Sequence, residues 1–158
     1  VLAQGISLNV GFSIGTITLI LSIAVLFLWI FLNQKPGIGT VLNALIIAMM
    51  IDLCITFVPT PESFISQISL AIIAVITVGL GGGIYLVANL GLGPRDGLMV
   101  GLQQKTNLPL ALVRVTIEIT VVSIGWYLGG VVGIGTLLFA FGIGPTVVLG
   151  LFITEKIF

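Results

Sequence analysis

The sequence predicts an all-α membrane protein built from inverted three-helix repeats, and its composition is the first of three observations behind that prediction. Of 158 residues, 58% are apolar, 6% are charged and none is histidine, and the mean hydropathy is +1.36. So few polar side chains cannot cover the surface of a water-soluble domain. The formal net charge is zero and no basic run exists, so a nucleic-acid partner is not expected. The expected partner is the lipid bilayer.

The second observation is an internal duplication. Residues 37–40 and 133–136 both read Gly-Ile-Gly-Thr, and the same offset of 96 residues aligns further identities without a gap. The residues repeated at that offset include Leu2, Gly5, Ile23, Val25, Leu32, Leu42, Ala44, Ile47 and Leu53. Repeats are how many membrane transporters form a binding site between two related halves. We therefore expect a first repeat at 1–58 and a second, inverted repeat at 67–158.

The third observation is a series of five apolar segments, each long enough to cross a bilayer as a helix. A span needs about 20 residues for about 30 Å of hydrocarbon. In chain order the predicted spans are 12–32, 38–58, 67–90, 108–128 and 134–154. Turn-like sequences rich in Gly, Pro and Asn separate them. Residues 97–107 are too few to span, so a short interfacial helix is expected there.

The repeat pattern also predicts a helix that precedes this sequence. The second repeat starts with the span at 67–90, and its counterpart would lie upstream of residue 1. With three spans per repeat, an odd number, the second repeat enters the membrane from the opposite side. We expect about six spans in the whole protein and five in this chain.

Charged residues in the connections predict the orientation. Threading the five spans places Lys35, Arg95, Lys105 and Lys156 on one side of the membrane and Glu62 on the other. Lysine and arginine are enriched on the cytoplasmic side of membrane proteins. The C-terminus is therefore expected to be cytoplasmic.

Three motifs resemble those of one known family. They are Lys-Pro-Gly-Ile-Gly-Thr at 35–40 followed by Leu-Asn-Ala, Asn-Leu-Gly-Leu-Gly-Pro at 89–94 with Asp96, and Gly-Ile-Gly-Thr at 133–136. Together they closely resemble the YczE/YyaS/YitT family of bacterial integral membrane proteins. That resemblance implies a multi-pass protein of the bacterial cytoplasmic (inner) membrane, in a family regarded mostly as transporters. Arg95 departs from the pattern, since family members usually carry an aromatic residue there.

The candidate substrate site centres on the fourth span. Arg114 and Glu118 lie one turn apart on one helix face, and Glu118 is about halfway across. A charge at that depth costs a few kcal/mol, so both should face protein or water rather than lipid. Thr18 and Ser22 hold the matching positions of the first repeat. These four residues are predicted to bind substrate; alternatively, Arg114 and Glu118 pair only to lock helices.

Residues 91–96, Gly-Leu-Gly-Pro-Arg-Asp, predict an irregular hinge. Gly91 and Gly93 tolerate unusual dihedrals, and Pro94 cannot continue a helix. Asp96 is the expected N-cap of the short helix after it. Arg95 and Asp96 are added to the substrate-binding candidates because a helix N-terminus favours anions. The alternative is an ordinary cytoplasmic turn.

Further candidates lie elsewhere in the spans. Asp52 or Glu118 would carry ion coupling or gating, with capping as the simpler alternative for Asp52. Gly144 and Pro145 predict a second hinge, a kink in the last span. Gly-x-x-x-Gly at 79–83 predicts helix packing rather than a ligand loop. The aromatic residues near span ends, Trp29, Trp126 and Tyr127, are expected in the interfacial belt.

These patterns favour a secondary transporter that moves a small polar or anionic organic solute. A non-transporting membrane regulator or accessory subunit is the alternative. An enzyme is not expected, and neither a cofactor nor a metal is predicted, because the sequence holds no cluster of metal ligands. The glycine-rich third span favours association of two copies as a homodimer.

Overall fold

The computed structural model describes residues 1–59, 61–88 and 90–157, and every regular element in these ranges is a helix. In chain order the helices are α1 (Leu2–Val10), α2 (Ile14–Phe31), α3 (Ile38–Phe57), α4 (Phe64–Val87), α5 (Pro94–Thr106), α6 (Leu110–Tyr127) and α7 (Ile134–Ile157). Helices α2, α3, α4 and α7 are long and apolar enough to cross a membrane. Large apolar side chains cover much of the exposed surface, as lipid contact requires. The all-α membrane prediction is confirmed.

Two features of the helix order differ in detail from the expected series. Helix α1 was not expected as a separate element, and α5 starts at Pro94 rather than at residue 97. The fourth predicted span contains α6, which carries Arg114 and Glu118 and is not among the four spanning candidates found in the described residues. Its crossing of the membrane stays a prediction.

The chain forms two compact units. The first contains Val1–Val58 and Gly91–Val131, with α1, α2, α3, α5 and α6; the second contains Pro59–Leu90 and Val132–Phe158, with α4 and α7. These units follow helix packing, whereas the two repeats follow sequence similarity. The division into repeats at 1–58 and 67–158 stays a prediction.

The duplication is visible in the backbone where helices end. Helices α1 and α5 are each followed by a left-handed residue at matching positions, Gly11 with φ 78° and Asn107 with φ 55°. The residues Asn33 and Gly129 after α2 and α6 also match, with φ 53° and 90°. Left-handed residues of this kind end helices by satisfying the last carbonyl groups. The offset of 96 residues therefore relates local structure as well as sequence.

The two Gly-Ile-Gly-Thr segments form the same helix start. In α3, the Gly37 N–H donates to Thr40 Oγ1 at 3.2 Å; before α7, the Gly133 N–H donates to Thr136 Oγ1 at 3.4 Å. A side chain three residues into the helix that accepts from the N-cap backbone is half of a capping box. The repeated motif therefore has a structural role at both helix starts.

Packing within the first unit is reciprocal between the two copies. Gly101 of α5 lies against Leu32 at the end of α2, where a Cβ atom would approach Leu32 Cβ to 2.9 Å. Gly5 of α1 lies against Leu128 at the end of α6, where a Cβ atom would approach Leu128 Cβ to 3.0 Å. Each contact maps onto the other at the offset of 96 residues. Reciprocal contacts of this kind are those of a two-fold relation.

Trp29 lies in the core of the first unit. Its side chain is 2% exposed, its ring covers Gly97 of α5, and its Nε1–H donates to the Pro94 carbonyl at 2.9 Å. The interfacial-belt prediction is therefore wrong for Trp29, whose ring is needed to fill space beside a glycine. Trp126 and Tyr127 are exposed, as the belt requires.

The second unit is held by close contact between α4 and α7. Gly79 lies against Thr146, and Gly83 lies against Gly150, whose Cα is 2.6 Å from where a Cβ atom at Gly83 would be. The helix-packing prediction for the Gly-x-x-x-Gly segment is confirmed. Helix α7 continues through Pro145, and Thr146 Oγ1 donates to the Gly142 carbonyl at 2.9 Å. A hydroxyl thus binds a carbonyl near the proline, as is common in membrane helices.

Candidate functional site

Four charged side chains of the first unit lie near one another where α5 begins beside α6. They are Arg95 and Asp96 of α5 and Arg114 and Glu118 of α6, and together they form the charge cluster. Arg95 Nη2 forms an ion pair with Glu118 Oε1. Arg114 is close enough to Arg95 and Asp96 for its charge to affect the pKa of both. The structure therefore brings together two pairs of residues that the sequence placed on separate elements.

The start of α5 is positioned by contacts with α2 and α3. Gly91 has φ 121°, which favours glycine, and a Cβ atom there would lie 2.7 Å from Thr40 Oγ1 of α3. Thr40 is fully buried. Two residues later, Gly93 is the N-cap and Pro94 the first helical residue, a position that needs no N–H. The Trp29 hydrogen bond to Pro94 fixes this start against α2.

Asp96 does not have the predicted role of N-cap. Because Pro94 begins the helix, Asp96 lies in its first turn rather than ahead of it. A carboxylate in the first turn still interacts favourably with the helix dipole. Arg95 and Asp96 therefore occupy consecutive positions on a fixed helix start rather than on an irregular loop.

The α6 side of the cluster is half-buried, and its two charges are not paired with each other. Arg114 and Glu118 both have intermediate exposure. Glu118 is engaged by Arg95, and no carboxylate oxygen lies within 4.0 Å of Arg114 in the described part of the chain. The structure thus gives Glu118 a partner from α5 in place of Arg114, because the α5 start brings Arg95 within reach.

The environment of the cluster shifts the pKa values of its α5 members, which lie outside the four spanning candidates. Desolvation raises the pKa of Asp96, and the positive charges of Arg95 and Arg114 lower it in part. Desolvation also lowers the pKa of Arg95, where the nearby Asp96 acts in the opposite direction and Arg114 adds to the lowering. Asp96 remains exposed on one side. Each shift disfavours the charged form of its group.

Asn43 of α3 is a polar neighbour of the cluster that the sequence analysis did not select. A Cβ atom at Gly93 would lie 3.4 Å from Asn43 Oδ1 and 3.1 Å from Asp96 Oδ2, so both side chains lie beside this glycine. Asn43 follows Thr40 by about one helical turn. Its place in the Leu-Asn-Ala string was the available signal, because that string accompanies the motif at 35–40.

Thr18 and Ser22 use their hydroxyl groups within α2. The Thr18 hydroxyl donates to the Ile14 carbonyl at 2.7 Å, and the Ser22 hydroxyl donates to the Thr18 carbonyl at 2.9 Å. No hydrogen bond joins either residue to the charge cluster within the described ranges. Their role in substrate binding stays a prediction without support from these contacts.

Asp52 caps a neighbouring helix. Its Oδ1 accepts a hydrogen bond from the Gly15 N–H at 2.7 Å, and its Oδ2 accepts one from the Ser13 hydroxyl at 2.6 Å. Ser13 is the N-cap of α2, and Gly15 leaves room for the carboxylate because it has no side chain. This geometry favours capping, the simpler of the two sequence-based alternatives for Asp52.

Other parts of the described chain offer less to a polar solute. An apolar groove beside α7 is lined by Ile134, Leu137, Leu138, Phe141 and Gly142. Among the described residues, no three His, Cys, Asp or Glu side chains are arranged to hold a metal ion. The charge cluster is therefore the best-supported candidate site.

Comparisons with known proteins give a family and two relatives. The model of DUF6198, described as a family of unknown function, matches residues 1–151. An uncharacterized protein of Haemophilus influenzae is 41% identical over 147 residues, covering 93% of this chain and 67% of the relative. The uncharacterized membrane protein YczE of Bacillus subtilis is 33% identical over 131 residues, covering 82% and 61%. The matches span about two thirds of the relatives' length. No solved structure matches.

Proposed function

This chain belongs to the family DUF6198, and from that premise and the charge cluster we propose that it is a secondary transporter of small anionic organic solutes. It would lie in the bacterial cytoplasmic membrane with its C-terminus inside. Its similarity to a Bacillus membrane protein supports membrane location, and the charges of its connections support the orientation. The solute would bind at Arg114.

The main observation behind this proposal is that the Arg114 side chain has no carboxylate partner in the described residues. The residue is half-buried in α6, without a carboxylate within 4.0 Å in the described residues. A guanidinium in such surroundings is costly unless an anion or water compensates it. Its planar donors match a carboxylate or sulfonate group in a two-point contact. An anionic solute would supply the missing partner.

The other residues of the charge cluster, and Asn43 beside it, fit a site that is already organised. Glu118 is occupied by Arg95, so it does not compete for Arg114. Asn43 adds a neutral amide that can bind a hydroxyl or carbonyl group of a solute. The reciprocal packing of α1 with α6 and of α5 with α2 adds support, because transporter sites commonly lie between related repeats.

Uptake by the reconstituted full chain tests the proposal. Proteoliposomes would be given labelled lactate, methanesulfonate or benzenesulfonate, with lactamide, methanesulfonamide and benzenesulfonamide as matched neutral compounds. We expect uptake of at least one anion and none of its neutral match. Arg114→Gln should lower that uptake at least about tenfold, because one charge-assisted pair is lost. Uptake by Arg114→Lys should lie between that of the wild type and that of Arg114→Gln, because the charge stays but the planar guanidinium is lost.

Lys105→Gln is the control for loss of a cation, because Lys105 is exposed at the far end of α5. It should leave uptake per folded protein near the wild-type value. Full uptake by Arg114→Gln would refute the site. Failure of the wild-type chain to move any of the three anions would refute the proposed function and favour a non-transporting regulator.

A further inference from the structure

We propose that Asp96 is the proton-carrying group of this site, so that one anionic solute and one proton bind together. This inference rests on the proposed function and deepens it by naming the coupling ion and the residue that binds it. The net step is addition of a proton to the Asp96 carboxylate while the anion contacts Arg114. No covalent bond of the solute changes.

The charge balance of the cluster leads to this coupling. With Arg95 and Arg114 positive and Asp96 and Glu118 negative, the empty cluster is formally neutral. A bound monoanion would give the cluster a net charge of −1, and its repulsion by the two carboxylates is unfavourable. Protonation of one carboxylate restores neutrality. The anion and the proton therefore each improve the binding of the other.

The contacts of the carboxylates decide which of them takes the proton. Glu118 is engaged by Arg95 and its side chain is 24% exposed, so protonation would break an ion pair. Asp52 accepts two hydrogen bonds as a cap. Asp96 has neither an ion pair nor a hydrogen bond in the described part of the chain, and its exposed side gives protons access. Asp96 is therefore the carboxylate that can change its charge with the least rearrangement.

The groups that face Asp96 set the direction of the pH dependence. Arg95 comes from its own helix and is paired with Glu118, Arg114 comes from α6, and α3 contributes the neutral amide of Asn43. Helix α2, which also packs on α5, has no titratable side chain. Desolvation already raises the pKa of Asp96, and a solute anion at Arg114 raises it further by offsetting that positive charge.

The rise in the pKa of Asp96 on anion binding determines how affinity for the anion changes with pH. At low pH, Asp96 is protonated in both the empty and the loaded site, and affinity for the anion is constant and highest. Between the two pKa values affinity falls about tenfold per pH unit, because binding then takes up one proton. Above both values affinity is constant again and lowest. The fall begins at the pKa of Asp96 in the empty site, which desolvation raises from its ordinary value.

Calorimetry on the full chain in detergent tests the inference. The probes are lactate, methanesulfonate and benzenesulfonate, which stay ionised between about pH 6 and pH 8, so any proton taken up binds to the protein. Titration in buffers of different ionisation enthalpy counts the protons. We expect close to one proton per anion in the wild-type chain at a pH within the fall. The Asp96→Asn variant should bind with an affinity independent of pH and take up none.

A control variant and a vesicle experiment separate the possible outcomes. Glu62→Gln removes an exposed carboxyl group outside the cluster, and it should leave the count at one proton per anion. In vesicles, Asp96→Asn should lose accumulation of the anion driven by a pH gradient, whereas Glu62→Gln should keep it. Anion binding without proton uptake, or an unchanged count in Asp96→Asn, would overturn the inference and leave the proposed function standing. Failure of all three anions to bind would overturn both this inference and the proposed function.

Discussion

At the scale of single residues, Trp29 and Gly97 determine where the charge cluster can form. The ring of Trp29 occupies the space beside Gly97, and its N–H holds the Pro94 carbonyl at 2.9 Å. These contacts fix the first turn of α5 against α2. Arg95 and Asp96 follow Pro94 directly, so their positions depend on this contact.

Gly97→Ala should therefore destabilise the protein. A Cβ atom at this position would overlap the indole ring of Trp29, and overpacking of this kind costs about 1–3 kcal/mol. Gly81→Ala is the matched control, because no atom lies within 4 Å of a Cβ atom there. The measurement is the midpoint of thermal unfolding in detergent. Equal midpoints for the two variants would contradict the packing described here.

The sequence predicted some residue roles and missed others for a physical reason. The spacing of Arg114 and Glu118 fixes their shared helix face, whatever the fold around them. The ion pair of Glu118 with Arg95 depends on how α5 packs on α6, and no local pattern encodes that. Trp29 was misassigned because position near a span end says nothing about which side faces protein. Asn43 was missed because its position in the sequence does not show that it faces the start of α5.

At the scale of elements, the start of α2 depends on a side chain from α3. Asp52 accepts hydrogen bonds from the Gly15 N–H and the Ser13 hydroxyl, as an added cap on the α2 N-terminus. Ser13 also accepts from the Thr16 N–H at 3.1 Å. The two carboxylate contacts join α2 to α3 at this end of the pair.

Asp52→Ala should lower the free energy of unfolding by about 1–2 kcal/mol, because two hydrogen-bond donors lose their acceptor. Asp52→Asn should cost less, since its amide oxygen can still accept from Gly15. Stability in detergent and anion uptake per folded protein are the two measurements. Normal stability of Asp52→Asn together with abolished uptake would favour the gating role instead.

The elements that sequence predicted best are those with a strong local signal. Length and hydropathy located α2, α3, α4 and α7 to within a few residues. Helix α1 was not predicted, because a short interfacial helix was expected only in the second copy, at 97–107. Helix α5 starts early because Pro94 is acceptable at the first position of a helix, although it cannot occupy the interior without cost.

At the scale of the whole molecule, the duplication relates structure as well as sequence. Helices α2 and α6 have bounds that differ by the same 96 residues that separate the Gly-Ile-Gly-Thr motifs. The contacts of Gly5 and Gly101 exchange at that offset. Sequence identity could predict related folds for the two copies. Identity alone could not predict which side of the membrane each copy enters, and that prediction came from the number of spans between them.

Lys35 and Val131 provide a matched test of the inverted arrangement. They hold equivalent positions of the two copies, in the connections that precede α3 and α7, and both are exposed. If α3, α4 and α6 all cross the membrane, three crossings separate the two positions and they face opposite sides. If α6 does not cross, two crossings separate them and they face the same side. The positive-inside pattern predicts that Lys35 is cytoplasmic and Val131 external.

Single-cysteine labelling in intact cells measures this difference. Cys54, the one cysteine of the chain, would first be replaced by serine. With a membrane-impermeant maleimide, we expect Val131→Cys to react in intact cells and Lys35→Cys to react only after permeabilisation. Glu62→Cys, in the predicted external connection, should react in intact cells and so control for access. Reaction of the Lys35 and Val131 variants from the same side would contradict inverted repeats and remove α6, with its charge cluster, from the set of membrane-spanning helices.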